Sequence, residues 1–160
     1  FIDLLSQSKD YAWFYTPYLL LGDRLRDAFV HAAKRGVDVR IIMPGIPDKK
    51  VVYRMSRSYY RDLLQAGVRI FEYTPGFVHA KASLVDDCIG SVGTVNLDYR
   101  SLYLHYECNA LFYKASLLTD LKKDLEASME ASRERTMQEE SKGLVHNIID
   151  GVLRIFAPLV

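Results

Sequence analysis

The sequence predicts an α/β fold: a mixed, largely parallel sheet flanked by helices on both faces, followed by C-terminal helices. Three observations predict it. Short apolar runs, rich in β-branched and aromatic residues, alternate with amphipathic helical stretches. Twice, at RGVDVRII around Gly36 and AGVRIFEY around Gly67, a helix meets a glycine stop and a strand follows at once. Finally, 160 residues of which 49% are hydrophobic suffice for one domain with a real core.

Taken in order, Ile2 to Lys9 reads as the tail of a helix, and Tyr11 to Tyr15 as an aromatic strand stopped by Pro17. Asp23 to Arg35 is an amphipathic helix with Leu25, Phe29, Ala32 and Ala33 on one face, and Val37 to Met43 is the strand after it. This strand–helix–strand unit argues for parallel pairing through a right-handed crossover. Val51 to Ala66 and Val68 to Tyr73 repeat the unit. Val78 to Val85 and Cys88 to Val92 are strands joined by a turn at Asp86 and Asp87. Asp98 to Leu102 is a short helical piece, and His105 to Tyr113 a further strand. Leu117 to Glu140 is expected to form one long charged helix, broken by Gly143. Leu144 to Phe156 is the last helix, ended by Pro158.

Lys plus Arg number 21 and Asp plus Glu 20, so the chain as a whole lacks the basic footprint of a nucleic-acid binder. Cys88 and Cys108 sit in apolar, strand-like runs and read as free thiols rather than a disulfide framework. Roughly 18 consecutive apolar residues, the signature of a membrane span, occur nowhere. The chain begins at Phe1, without Met and inside a helical stretch, and is read as the C-terminal part of a longer protein.

The chemistry is concentrated between His79 and Asn96. Residues i and i+2 of a strand share a face, so His79 and Lys81 project together. A neutral imidazole is a nucleophile or an acid/base near pH 7. Lys81 offers a fixed positive charge, and Asn96 offers amide donors from a turn where Gly93 permits close backbone approach. Imidazole, ammonium and amide on one point suit a phosphate ester, whose charge spreads over non-bridging oxygens. The plainer alternative is a His and a Lys lining a half-buried strand. Downstream, Glu107 lies among apolar and aromatic residues; it either finds a partner on burial or faces water from an edge strand. His31, His105 and His146 have no companion at metal-ligand spacing, so no metal is expected.

Written out, this is H-x-K-x4-D-x6-G-[ST]-x-N, from His79 through Lys81, Asp86, Gly93 and Thr94 to Asn96. In it the sequence resembles the phospholipase D superfamily. The flanks YTPYLL, RGVDVRIIMP, AGVRIFEYTPGFVHAK and APLV, with the run NLDYRS, are similar to the C-terminal half of bacterial cardiolipin synthases. The resemblance implies a catalytic set of His79, Lys81, Asp86, Asn96 and Glu107. Within it, Lys81, Thr94 and Asn96 bind phosphate, Asp86 supports the loop, and Glu107 orients the imidazole. It also implies a cleft with Tyr15, Tyr18 and Arg100 as candidate lining. Tyr15 and Tyr18 are otherwise core, and Arg100 otherwise pairs with Asp98.

Members of the superfamily work with two such motifs facing each other, and the resemblance implies the same here. One His forms a phosphohistidine while the other, His79 in this reading, is the general acid/base. The implied reaction joins two phosphatidylglycerols into cardiolipin and glycerol, without cofactor. The implied partners are a phospholipid, the membrane surface and a second motif-bearing half, either N-terminal to this chain or a second copy of it. Nucleic acid is not expected, and the implied location is the bacterial cytoplasmic membrane. The competing class is a homodimeric nuclease or phosphodiesterase with the same motif. Residues 1–116 are then the catalytic half and 117–160 a C-terminal helical segment. In its last helix, Leu144, Val145, Ile148, Ile149, Val152, Leu153, Ile155 and Phe156 form an apolar face that either lies on lipid or docks on the core.

Overall fold

The computed structural model describes residues 1–140 and 143–159, and in the last helix the side chains from residue 148 onward. The helices are α1 (Ile2–Gln7), α2 (Asp23–Lys34), α3 (Lys50–Ser58), α4 (Tyr60–Ala66), α5 (Leu117–Glu130), α6 (Met137–Glu140) and α7 (Leu144–Ile155). The strands are β1 (Tyr11–Tyr15), β2 (Asp38–Pro44), β3 (Arg69–Tyr73), β4 (Ala82–Val85), β5 (Ile89–Gly93), β6 (Asn109–Tyr113) and β7 (Ser132–Glu134). They form one seven-stranded sheet in the order β6-β5-β4-β1-β2-β3-β7.

The sheet is mixed, but the expectation of a largely parallel one gives way. Only β1–β2 and β2–β3 pair in parallel; β1–β4, β4–β5, β5–β6 and β3–β7 are antiparallel. The parallel part is the part with helical crossovers; of the antiparallel pairs, only β4–β5 is joined by a tight turn, at Asp86 to Cys88.

Strand β1 is central and wholly buried, which is why its five residues carry no polar alternation. Ala12 and Phe14 point into one core with Leu5, Phe29, Ile41, Ile70 and Leu63, beneath α1 to α4. Tyr11, Trp13 and Tyr15 point into the other, with Leu84, Leu118, Leu121 and Leu125, beneath α5. Helices therefore cover both faces. The two glycine stops behave as the sequence suggests: Gly36 (φ 94°) and Gly67 (φ 99°) take the left-handed conformation that ends a helix.

Four element boundaries differ from expectation, the first for a local reason and the others for tertiary ones. The helix expected over Val51–Ala66 is interrupted at Tyr59. There the Ser58 hydroxyl donates to Met55 O (2.6 Å) and competes with the helical ladder. Strand β4 starts at Ala82 rather than Val78, because its partner β1 ends at Tyr15, opposite Ala82. Strand β6 starts at Asn109 rather than His105, because β5 ends opposite it at Gly93. The long helix expected to Glu140 stops at Glu130. Residues Ser132–Glu134 turn back as β7 along the open edge of β3, so the segment after residue 117 is not helical throughout.

What fixes β7 is charge rather than apolar surface. Its neighbour Arg135 sends its guanidinium to Glu140 (2.7 Å) and toward Glu72 (3.8 Å), all three side chains being buried. Arg57 pairs with the same two carboxylates, and Tyr53 donates to Glu72 at 2.9 Å.

The last helix docks by its polar side. Arg154 donates to Asp62 Oδ2 (2.6 Å) and lies over the Tyr59 ring, while Leu153 and Ala157 join the core. Ile148, Val152, Ile155 and Phe156 are left facing outward. The side chains of Leu144, Val145, His146 and Asn147, and residue Val160, lie outside the described residues. Among those described, no helix is long and apolar enough to cross a membrane.

Candidate active site

Ahead of β4, Val78–Lys81 lie outside the assigned strand, held at its end by the Gly93 N–H donating to Lys81 O (3.1 Å), so His79 and Lys81 overhang the sheet. Their side chains meet. Lys81 Nζ lies 2.9 Å from His79 Nδ1 and 3.1 Å from Nε2, and it donates to His79 O at 2.7 Å. The imidazole stacks on Phe77, with centroids 5.5 Å apart, and meets Tyr18 edge-on at 6.3 Å. A cavity of about 570 Å³ opens here, with His79, Lys81, Thr94 and Asn96 on its wall beside Tyr15 and Val92.

Gly93 brings the second half of the wall into place. A β-carbon there would stand 2.2 Å from Cys108 O and 2.0 Å from Asn109 Oδ1, so only glycine permits this approach. The Thr94 N–H then donates to Cys108 O (3.0 Å) and its hydroxyl accepts the Cys108 N–H (3.0 Å). Asn96 Nδ2 donates to Ser101 Oγ at 3.0 Å, while its Oδ1 is buried without a partner among the described residues.

Glu107 comes to this cluster by a different contact from the one expected. Its pKa is held below the usual carboxylate range, first by the Thr94 hydroxyl and then by Ser101 and His105. His105 Nδ1 lies 3.6 Å away. No hydrogen bond joins it to His79 among the described residues; its influence on the pair runs through Lys81, whose charge it favours. The reason is the late start of β6, which leaves residue 107 beyond the ladder, where its side-chain direction is not set by the pleat.

Asp86 is placed elsewhere. At the opposite end of β4, with φ 50°, its carboxylate accepts the backbone N–H groups of Lys9, Asp10 and Tyr11 at 2.8 to 2.9 Å. It fixes the start of the central strand and touches none of the cavity residues.

Tyr15 is both core and cleft: nearly fully buried, it reaches the cavity wall, where its hydroxyl donates to Asp124 Oδ2 (2.9 Å). Tyr18 belongs to a neighbouring cavity and donates to Asp48. Arg100 lines that second cavity too. It does not pair with Asp98, whose Oδ1 instead accepts the Ser101 N–H at 2.7 Å. Asp124, Leu121 and Phe77 were not anticipated at the site. Leu121 and Asp124 stand three apart on the helix face that carries Leu118, Leu121 and Leu125, and the helical spacing of those leucines was the available signal.

Burial, then the adjacent Lys81 charge, lowers the His79 pKa from its ordinary 6.5, with Asp48 opposing. The imidazole is therefore largely neutral at pH 7. The Lys81 ammonium is lowered by burial and sustained by Glu107 and Asp98. A histidine titration followed by NMR should place His79 below 6.5. Lys81→Met should raise it, by removing a like charge; Asp48→Asn should lower it further, by removing an opposing one. Shifts of the opposite sign would refute this account.

Comparison with known proteins places the arrangement. The family described as "Cardiolipin synthase, PLD-like domain" matches residues 1–129. The chain belongs to that family. It is 37% identical over its whole length to a cardiolipin synthase of Alkalihalophilus pseudofirmus, covering 32% of that protein. It is 38% identical to cardiolipin synthase 2 of Bacillus anthracis, over 98% of the chain and 31% of that protein. An uncharacterized protein of Streptococcus mutans is 47% identical, and the chain covers 35% of it. The chain thus spans about a third of the length of these relatives. Its fold is shared with the phosphatidylserine synthase of Haemophilus influenzae: TM-score 0.73, 20% identity, 99% of this chain and 41% of that one. It is also shared with Nuc, a phospholipase D family member from Salmonella typhimurium: TM-score 0.71, 18% identity, 84% and 88% covered.

Proposed function

We propose that the chain is one catalytic half of a phosphatidyltransferase that joins two phosphatidylglycerols into cardiolipin and glycerol. The observation that carries this reading is the meeting of His79, Lys81, Thr94 and Asn96 on one cavity wall, in a chain of the cardiolipin synthase family. Catalysis then needs a second motif-bearing half, either N-terminal to this chain or a second copy. The exposed Phe77 and Val92 beside the cavity support such a cover.

In this mechanism the partner imidazole attacks phosphorus and the bond to the departing glycerol oxygen breaks, leaving a phosphatidyl-histidine. The protonated fraction of His79, a minority at pH 7, gives that oxygen its proton and is left as the neutral imidazole. It then takes a proton from the hydroxyl of the acceptor, whose oxygen displaces the partner imidazole and forms the new ester. Lys81, Thr94 and Asn96 hold the non-bridging oxygens, where charge accumulates. Glu107 sustains the ammonium of Lys81 rather than the orientation of His79. A homodimeric nuclease would need a basic cleft rim, which the near-neutral chain does not favour.

The test is the conversion of labelled phosphatidylglycerol by the full-length protein. Cardiolipin and glycerol should appear together; hydrolysis to phosphatidate alone would overturn the transferase reading.

The reading places the protein at the bacterial cytoplasmic membrane, and the outward Ile148, Val152, Ile155 and Phe156 of α7 support that. Ile155→Ser with Phe156→Ser should weaken association with anionic liposomes several-fold at unchanged melting temperature. A fall in melting temperature with binding intact would instead assign that face to packing.

A further inference from the structure

The second cavity, about 520 Å³, shares Asn96 with the first and is separated from His79 by the Tyr18 ring. Its lining combines two features. Lys49 and Arg100 bring cations to it, and neither has a carboxylate partner among the described residues. Arg100 Nε donates to His105 Nε2 (3.3 Å), which aligns the guanidinium without neutralising it. The one carboxylate in the lining, Asp98, is buried and engaged by the Ser101 N–H. The lining also includes Leu20, Val52 and Leu159. Leu159 continues into the exposed Ile155–Phe156 end of α7, so the apolar wall runs from the cavity out to the surface.

A pocket with two cations against one buried carboxylate, a neighbouring imidazole and an apolar exit matches a phosphodiester carrying a hydrocarbon tail. We propose that this cavity binds the phosphodiester of the acceptor lipid, so that the acceptor's three-carbon alcohol passes Tyr18 and Asn96 to place its free hydroxyl at His79. The inference rests on the transferase reading above and assigns the acceptor, not the donor, to Lys49 and Arg100. The outward apolar path distinguishes a lipid from a soluble phosphate ester, which has no tail to fill it.

The experiment compares acceptors in the full-length protein with phosphatidylglycerol as donor. Arg100→Ala and Lys49→Ala should each reduce transfer to phosphatidylglycerol about tenfold or more relative to transfer to free glycerol, the effect of one lost charge-assisted hydrogen bond. Arg100→Lys should recover part of the loss. Both residues are exposed, so the variants should fold as the wild type does. An equal fall with both acceptors would move the site to the donor and overturn the proposal, as would no fall with either. An equal dependence on Arg100 when soluble glycerol 3-phosphate is the acceptor would overturn the lipid assignment. A wild-type protein that transfers to no alcohol at all would fail the transferase reading itself, a result distinct from each of these.

Discussion

Replacing His79 by alanine in the full-length protein should abolish cardiolipin formation. The imidazole overhangs the sheet at the cavity wall, and Lys81, its only polar neighbour within hydrogen-bond reach among the described residues, is a cation that cannot accept a proton. Removing it leaves the incoming hydroxyl without a base and takes away the proton that His79 gives the departing glycerol oxygen. General acid–base assistance is commonly worth about 10²–10⁴-fold, and both half-reactions draw on this one group. Lys81→Ala should be comparably severe, through lost stabilisation at phosphorus and an altered His79 titration. Glu107→Gln should be milder, since it removes a charge that sustains Lys81 but leaves the imidazole uncontacted. The assay is labelled phosphatidylglycerol turnover with a chelator present. Near-wild-type turnover by the His79 variant, or a wild-type protein silenced by chelator, would refute the mechanism.

The largest expected effect on stability is far from this site. Arg135→Ala should cost about 3–5 kcal/mol, because it leaves the buried carboxylates Glu72 and Glu140 with one fewer cation and a desolvation cost already incurred. In a domain of this size that corresponds to a melting temperature lower by roughly 6–20 °C. Arg69→Ala is the control. Its pair with Glu134 (2.7 Å) spans the same two strands but is exposed on both sides, and such pairs contribute about 0–1 kcal/mol. Equal losses in the two variants, read by thermal or urea unfolding, would show that burial is not what matters here.

These two cases also show how far the sequence could be read. The central strands were legible because burial on both faces leaves unbroken apolar runs, as in Tyr11–Tyr15. The helix ends at Gly36 and Gly67 were legible because a left-handed residue strongly favours glycine. The side-by-side placement of His79 and Lys81 followed from their two-residue spacing, even though the segment lies before the strand begins at Ala82. By contrast, β7 has no apolar residue to announce it. The run from Leu117 is made of good helix formers, and Arg135 overrides that preference through carboxylates 63 residues upstream and five downstream, at Glu72 and Glu140. The contact of Glu107 was beyond reach for a similar reason: where a strand starts depends on where its neighbour ends, and no local pattern records that. Asp86 was legible as a turn residue, but not its distance from the imidazole, because the short β4 sends the two ends of the motif apart.

Among the described residues, strand β6 has a neighbour, β5, on one side only. Leu111 and Tyr113 project from it into solvent, and its five residues contain neither lysine nor proline, the usual guards of a free edge. Unpaired N–H and C=O groups beside exposed apolar side chains form a template onto which another extended segment can add. The domain produced by itself therefore carries a built-in tendency to stack edge to edge at high concentration. A charged residue at position 111 would oppose that aggregation without entering either core.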